Sequence, residues 1–230
     1  MARAQVAVRL SVIIPTLDEE RSLAASLASA READEVVVVD GGSTDRTEKI
    51  ARAGGARVLG CERGRGRQLR RGLEHTDGDV VLFLHADTHL PAGFRREVLD
   101  LVAHGPAGWG RFDIRFDGGS TLVHFIARLI SWRSRLTRVA TGDQAIFARR
   151  ELIERCGGLR EDLLFEDIDL CRRLKREASM AVPRSPAVTS ARRWRARGAW
   201  RTSFLMWGLK LLYLAGVPSS TLARFYSNVR

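Results

Sequence analysis

The sequence predicts an α/β fold: a mainly parallel central sheet with helices on both faces. Three observations point to it. Strand-like and helix-like segments alternate through the first half of the chain. The strand-like segments are nearly continuous apolar runs, as expected of strands covered on both faces. Acidic residues lie at the ends of two of those runs, Asp40 directly and Asp87 after His85-Ala86, and ligands in such sheets bind outside the carboxyl ends of the strands.

The elements follow in order. Residues 10–14, Leu-Ser-Val-Ile-Ile, read as a buried strand. Residues 20–31 read as a helix with Leu23, Leu27 and Ala30 at helical spacing. Residues 35–39 are a β-branched run typical of a central parallel strand. Residues 41–45, Gly-Gly-Ser-Thr-Asp, are a turn with capping residues, and a helix runs from there to about Ala53. Residues 56–59 are a short strand, residues 68–75 a helix, and residues 79–84 another buried strand that ends at His85-Ala-Asp87. The β-α-β-α-β-α-β order is that of a parallel sheet.

The second half is less regular. Residues 111–116 alternate like a strand, and Leu122, Phe125, Ile126, Leu129 and Ile130 form a helical stripe. Residues 145–148 read as a strand, 149–155 as a helix, and 167–177 as a helix opening on carboxylates, as its dipole favours. Residues 202–215 read as a helix that is apolar nearly all round. With no internal repeat and no low-complexity linker, the expectation is one domain over residues 1–230. Residues 1–115 form its nucleotide-binding half, and residues 116–230 a variable half that ends in a basic, apolar helix.

Composition narrows the function classes. The chain has 230 residues, 45% hydrophobic and 28% charged, which excludes a disordered chain. Three cysteines, Cys61, Cys156 and Cys171, contain no CxxC pair, which argues against a disulfide scaffold or a zinc ribbon. Arg9 interrupts the first apolar run and Pro15 ends the next, too soon for the core of a signal peptide. No segment reaches the roughly 20 apolar residues needed to span a bilayer. The expected location is the cytoplasm, either free or peripheral at the inner face of the membrane.

The net charge is +11, from 38 Lys+Arg against 27 Asp+Glu. No acidic residue follows Glu177, whereas Arg184, Arg192, Arg193, Arg195, Arg197, Arg201, Lys210, Arg224 and Arg230 do. A second basic cluster is Arg63, Arg65, Arg67, Arg70 and Arg71. Both clusters suit a phosphate-rich partner, either a nucleotide or an anionic membrane surface. Nucleic acid is disfavoured because no nucleic-acid motif accompanies the charge. The tail helix fits membrane docking and, equally, burial against its own domain or in a dimer contact.

Three acidic sites fall on the expected ligand edge. Asp40 can accept hydrogen bonds from a base or ribose, or shape a turn. Asp87 can hold Mg²⁺ or Mn²⁺ against a diphosphate, or form an Asx-turn before Pro91. Glu166 and Asp167 can supply a general base, or serve helix-start electrostatics alone.

Four motifs occur in order: Ser11-Val-Ile-Ile-Pro-Thr-Leu-Asp-Glu-Glu20, Val38-Val-Asp-Gly-Gly-Ser-Thr-Asp45, Phe83-Leu-His-Ala-Asp-Thr88 and Phe165-Glu-Asp-Ile-Asp-Leu170. Over residues 10–180 they resemble family 2 glycosyltransferases with the Rossmann-like GT-A fold. His85-Ala-Asp87, together with Gly142-Asp-Gln144 and Trp109-Gly-Arg-Phe-Asp113, is similar to a bacterial subgroup of small members, some associated with arsenosugar-type biosynthesis.

The resemblance implies roles. Pro15, Thr16 and Glu19 line the nucleotide pocket, and Asp40 binds the base. Asp87 matches the last acid of the metal-binding DxD motif, and Asp167 the catalytic base of the Glu-Asp pair that Glu166 opens. Asp143 and Gln144 lie near the sugar or acceptor. Three positions depart from the pattern: His85 replaces the first acid of DxD, Gly41 the second Asp of Asp-Asp-Gly-Ser, and Arg70 the Asn of Gln-x-Asn, beside the diphosphate.

The implied reaction is inverting transfer of a sugar from a nucleoside-diphosphate sugar to an acceptor hydroxyl, with a divalent ion. Other readings are a nucleotidyltransferase, a non-catalytic sugar-nucleotide binder, a membrane-surface protein, and a transferase acting on a lipid- or carotenoid-type acceptor. A nucleotidyltransferase would carry a Gly-rich loop with Lys after the first strand, where this chain has Pro-Thr-Leu-Asp-Glu.

Overall fold

A computed structural model describes residues 7–161 and 165–191, with Gly208, Leu212 and Val217. The expected helix over 202–215 otherwise lies outside the described residues, as does the arginine-rich run 192–201.

β1 (Leu10–Thr16) is the middle of the parallel part of a seven-stranded sheet. It pairs in parallel with β2 (Glu35–Asp40) on one side and β4 (Val80–Phe83) on the other. β3 (Arg57–Gly60) extends the sheet beyond β2, also in parallel. Past β4 the direction reverses: β8 (Phe147–Arg149) runs antiparallel to β4, followed by β6 (Trp109–Gly110) and β9 (Met180–Ala181).

The apolar runs are continuous because both faces are covered. Leu10, Val12, Ile14, Val38, Val80, Leu82 and Leu84 join one core cluster. Ile13, Val37, Val39, Val81 and Phe83 join the other. Alternate residues of a strand point to opposite faces, so both sets must be apolar. Each such side chain contributes about 1.5–3 kcal/mol of transfer free energy.

On the first face lie α1 (Leu23–Ala30), α2 (Thr47–Ala53) and α4 (Phe94–Val102), which add Leu23, Leu27, Ala51, Phe94 and Val98. On the second lie α3 (Arg65–Glu74), α6 (Arg150–Arg155) and α7 (Glu166–Glu177), which add Leu69, Leu73, Leu152 and Leu174. α3 packs close enough that a methyl group on Gly72 would overlap Ile13.

A second, three-stranded sheet is ordered β5 (Thr88–His89), β10 (Ala187–Thr189), β7 (Ile114–Phe116). α5 (Thr121–Thr137) packs on β7 through Val123 and Ala127, with Ile114, Phe116 and Ala191 in the same cluster. The segment 111–116, read from sequence as one strand, therefore follows β6 of the large sheet with β7 of the small one. The break falls at Arg111 and Phe112, both fully buried, where Arg111 turns inward to donate to the Ser131 carbonyl at 2.9 Å.

Two helices start away from their expected positions. α1 begins at Leu23, not Glu20, because Glu19 and Glu20 serve the preceding loop. Ser22 Oγ donates to Glu19 Oε2 at 2.6 Å, and Glu20 pairs with Arg46 at 3.1 Å. α3 begins at Arg65, one turn before the expected Gln68. The three cysteines are free, and burial pushes the Cys171 thiol up to about 12. Among the described residues, no helix is long and apolar enough to cross a membrane.

Candidate functional site

Parallel strands bring their carboxyl ends to one edge. There Thr16 of β1 stands beside Asp40 of β2 in register, and the chain leaving β4 passes through His85 and Asp87. The Asp40 carboxylate accepts from Thr16 Oγ1 at 3.1 Å and Ser43 Oγ at 2.5 Å. It also accepts from the backbone N–H groups of Gly42 at 3.0 Å and Ser43 at 2.8 Å. Asp40 therefore shapes the turn after β2 and is only 7% exposed.

Gln68 of α3 closes the same corner. Its Nε2 donates to the carbonyls of Thr16 at 2.7 Å and Val39 at 2.8 Å. Gly41 lies against that amide, which leaves no room for a second Asp side chain there without displacement. The loop after β1 is tied to the loop after β2. Asp18, at φ 54, accepts from the Thr44 N–H at 2.8 Å, and the Glu19 N–H donates to Thr47 Oγ1 at 2.8 Å. Asp tolerates this left-handed conformation better than most residues.

The second group of acids comes from the other side of the edge. A single 3-10 turn, Gly142–Gln144, follows α5, and α7 opens with Glu166 and Asp167. The Gly142 N–H donates to Asp167 Oδ2 at 2.7 Å, and the Ile168 N–H to Oδ1 at 2.7 Å. Arg65, first residue of α3, places Nε 2.8 Å from Glu166 Oε1 and Nη2 3.8 Å from Asp167 Oδ2. Glu166 is 2% exposed and Asp167 9%, so both carboxylates are drawn out of water beside this one guanidinium.

Gly142 is where these groups converge. A side chain there would overlap Arg65 Nη2 and His85 Nε2, so only glycine lets the turn, the arginine and the imidazole meet. Arg133 of α5 approaches from beyond the turn. Burial lowers its pKa, and the charges of Asp143 and Asp167 act against that shift. Its Nη2 is buried without a hydrogen-bond partner among the described residues.

The expected residues thus divide. Thr16, Asp40, His85, Asp87, Glu166, Asp167 and Asp143 sit on or beside the carboxyl edge, and Pro15 is the penultimate residue of β1. Gln144 is fully buried and braces the turn: Nε2 donates to Ser134 Oγ at 2.9 Å, and Oε1 accepts from the Thr141 N–H at 3.2 Å. Asp143 accepts from Thr141 Oγ1 at 2.5 Å. Arg70 points away, pairing with Glu74 at 2.9 Å and Glu161 at 3.2 Å on the exposed side of α3.

Arg65 and Arg133 were not singled out in sequence. Arg65 belongs to a cluster whose spacing cannot say which arginine meets the acids, and Arg133 lies on a helix read only for its apolar stripe. Among the described residues no group of three or more His, Cys, Asp or Glu side chains forms a metal cage.

A family model described as "Glycosyl transferase family 2" matches residues 11–163. Glucosyl-3-phosphoglycerate synthase of Mycobacterium tuberculosis is 38% identical over 92 residues, covering 34% of this chain and 28% of that protein. The chain therefore spans under a third of that relative's length in the match. Its structure with Mn²⁺, uridine diphosphate and phosphoglyceric acid is similar at 25% identity and a TM-score of 0.61, covering 93% of this chain and 80% of that one. S. aureus TarS shares the fold, with a TM-score of 0.65 at 20% identity over 80% of this chain and 37% of that one.

Proposed function

Because the chain belongs to glycosyl transferase family 2, we propose that it moves a sugar, with inversion, from a nucleoside-diphosphate sugar to an acceptor hydroxyl. The observation that carries this reading is the Asp167 carboxylate, oriented by the Gly142 and Ile168 N–H groups at the carboxyl edge of the sheet. Each oxygen accepts one of these bonds and keeps lone-pair capacity for an incoming hydroxyl. Asp167 takes the acceptor proton as the hydroxyl attacks the anomeric carbon. Glu166, engaged by Arg65 at 2.8 Å, positions that arginine rather than taking the proton.

Residues 1–115 supply the donor side, with Pro15, Thr16, Glu19 and the Asp40 turn against the nucleoside. Residues 116–230 supply the acceptor side, with Asp143 beside the sugar or acceptor and Gln144 behind it. Arg65 and Arg133 offer positive charge beside a departing diphosphate. Arg70 contributes at most to the outer field, since Glu74 and Glu161 hold it.

The donor set at the end of β4 fits a divalent ion of a particular kind. One carboxylate, Asp87, with the His85 imidazole two residues earlier, is too few ligands for a protein cage. It suits Mg²⁺ or Mn²⁺ completed by diphosphate oxygens. Such an ion would neutralise charge on the leaving diphosphate. The relative bound to Mn²⁺ and uridine diphosphate supports this assignment.

The acid-free sequence after Glu177 supports a peripheral placement of the protein on an anionic membrane. The test of the reaction is a donor screen: the protein, a panel of nucleotide sugars and Mn²⁺ or Mg²⁺, with released nucleotide as readout. Release with one donor above the no-enzyme rate is expected. No release with any donor, with and without candidate acceptors, would refute the reading.

A further inference from the structure

α5 is apolar on two sides, and folding accounts for one. Val123, Ile126, Ala127, Ser131 and Ser134 are buried. On the opposite side Phe125, Trp132 and Leu136 are 54%, 62% and 65% exposed. They are three of the four exposed large hydrophobic side chains among the described residues, so the exposure is concentrated, not scattered. Their i, i+7, i+11 spacing places them on one stripe, about 16 Å long at about 1.5 Å per residue.

The helix that carries the stripe holds charge of one sign. Residues 118–142 contain no Asp or Glu but hold Arg128, Arg133, Arg135 and Arg138. Arg128 and Arg138 are exposed, and Arg135 remains 52% exposed while paired with Asp113. A helix with Phe, Trp and Leu on one stripe and arginines on its flanks has the composition of an interfacial helix.

We propose that this stripe seats α5 in the headgroup layer of an anionic phospholipid bilayer. Charge decides among the occupants. A second copy docked through α5 would set these arginines against their own equivalents across a two-fold axis. The chain's own segment after Ala191 brings five more arginines, at 192, 193, 195, 197 and 201, and no acid. An anionic lipid surface complements the flanks and accepts the apolar stripe without a preformed groove.

Position links the surface to the site. α5 ends at Thr137, and five residues later Gly142 donates to Asp167. Seating α5 in the headgroup layer brings the acceptor side of the edge to the lipid, so an acceptor carried on a lipid is within reach. This deepens the peripheral placement proposed above and rests on it, but the binding readout does not depend on glycosyl transfer.

The test uses the full chain in co-sedimentation with phosphatidylcholine vesicles, with and without phosphatidylglycerol, at low and high salt. Salt-sensitive binding to the anionic vesicles alone is expected, at least about tenfold weaker for Phe125→Gln/Trp132→Gln/Leu136→Gln. If that variant binds as the wild type does while Gln at positions 192, 193, 195, 197 and 201 abolishes binding, the α5 assignment fails and the tail reading stands. If the wild type stays in the supernatant at low salt, both fail. A wild-type dimer that the α5 variant dissociates also overturns the proposal. Should the variant not fold, hydrogen exchange of wild-type α5 decides. Slowing on anionic vesicles supports the surface, and unchanged exchange overturns it.

Discussion

Asp167 Oδ2 lies 2.7 Å from the backbone nitrogen of Gly142, twenty-five positions earlier in the chain. The bond joins the first turn of α7 to the 3-10 turn after α5. It aims the carboxylate without using a side chain that would compete for substrate. Gln144 and Thr141 brace the turn from behind, so the aim depends on a closed hydrogen-bond set.

Asp167→Asn is expected to lower kcat by roughly 10²–10⁴-fold, with little change in donor KM, because the amide cannot take the acceptor proton. Glu166→Gln is expected to cost less in kcat but to lower thermal stability, since it loosens Arg65. Nucleotide-release kinetics and thermal melts on both variants check this. The reverse ranking in kcat would transfer the base role to Glu166.

Gly142→Ala is expected to retain the wild-type circular dichroism spectrum while losing about 10²-fold or more in kcat/KM. The methyl group displaces Arg65 or His85, and a displacement of about 1 Å near reacting groups has a cost of this size. Near-normal kcat/KM would show that the convergence at Gly142 is packing alone.

Asp87→Asn is expected to raise the Mn²⁺ concentration needed for half-maximal turnover and to lower the maximum by several kcal/mol of transition-state stabilisation. A Mn²⁺ titration of initial rates reads both. An unchanged titration curve removes Asp87 from the metal assignment.

Asp113→Asn addresses stability, away from the reaction. Arg111 is fully buried and bonded to Asp113, which also accepts from Arg135 at 2.5 Å. Leaving the Arg111 charge unpaired is expected to cost about 3–5 kcal/mol, read from the denaturant midpoint. Burial alone would raise the Asp113 carboxyl, but hydrogen bonds from Arg135 and Arg111 outweigh it and hold it below its ordinary 3.8. A depressed carboxyl stabilises the fold fully above its unfolded value and loses that contribution as pH falls through the folded one. The wild type is therefore expected to lose its advantage over the variant below about pH 4. An advantage that persists unchanged below pH 2 would contradict the pairing.

The parallel core was legible because burial on both faces leaves a local mark. Val36 to Val39, Val80 to Leu84 and Val12 to Ile14 are apolar at successive positions, and no amphipathic strand can be. The acids at the strand ends were legible for the same reason, since topology sends parallel strands to a common edge. The motif resemblance selected Asp167 over its neighbours. Tertiary structure alone decided which arginine of the 63–71 cluster meets Glu166, that Arg133 approaches from α5, and that Gln144 is a brace. It also decided that residues 109–116 serve two sheets. Each of these is a contact between residues far apart in the chain, set by how helices sit on the sheet. Sequence periodicity reports which face a side chain takes, and carries no information about what stands opposite it.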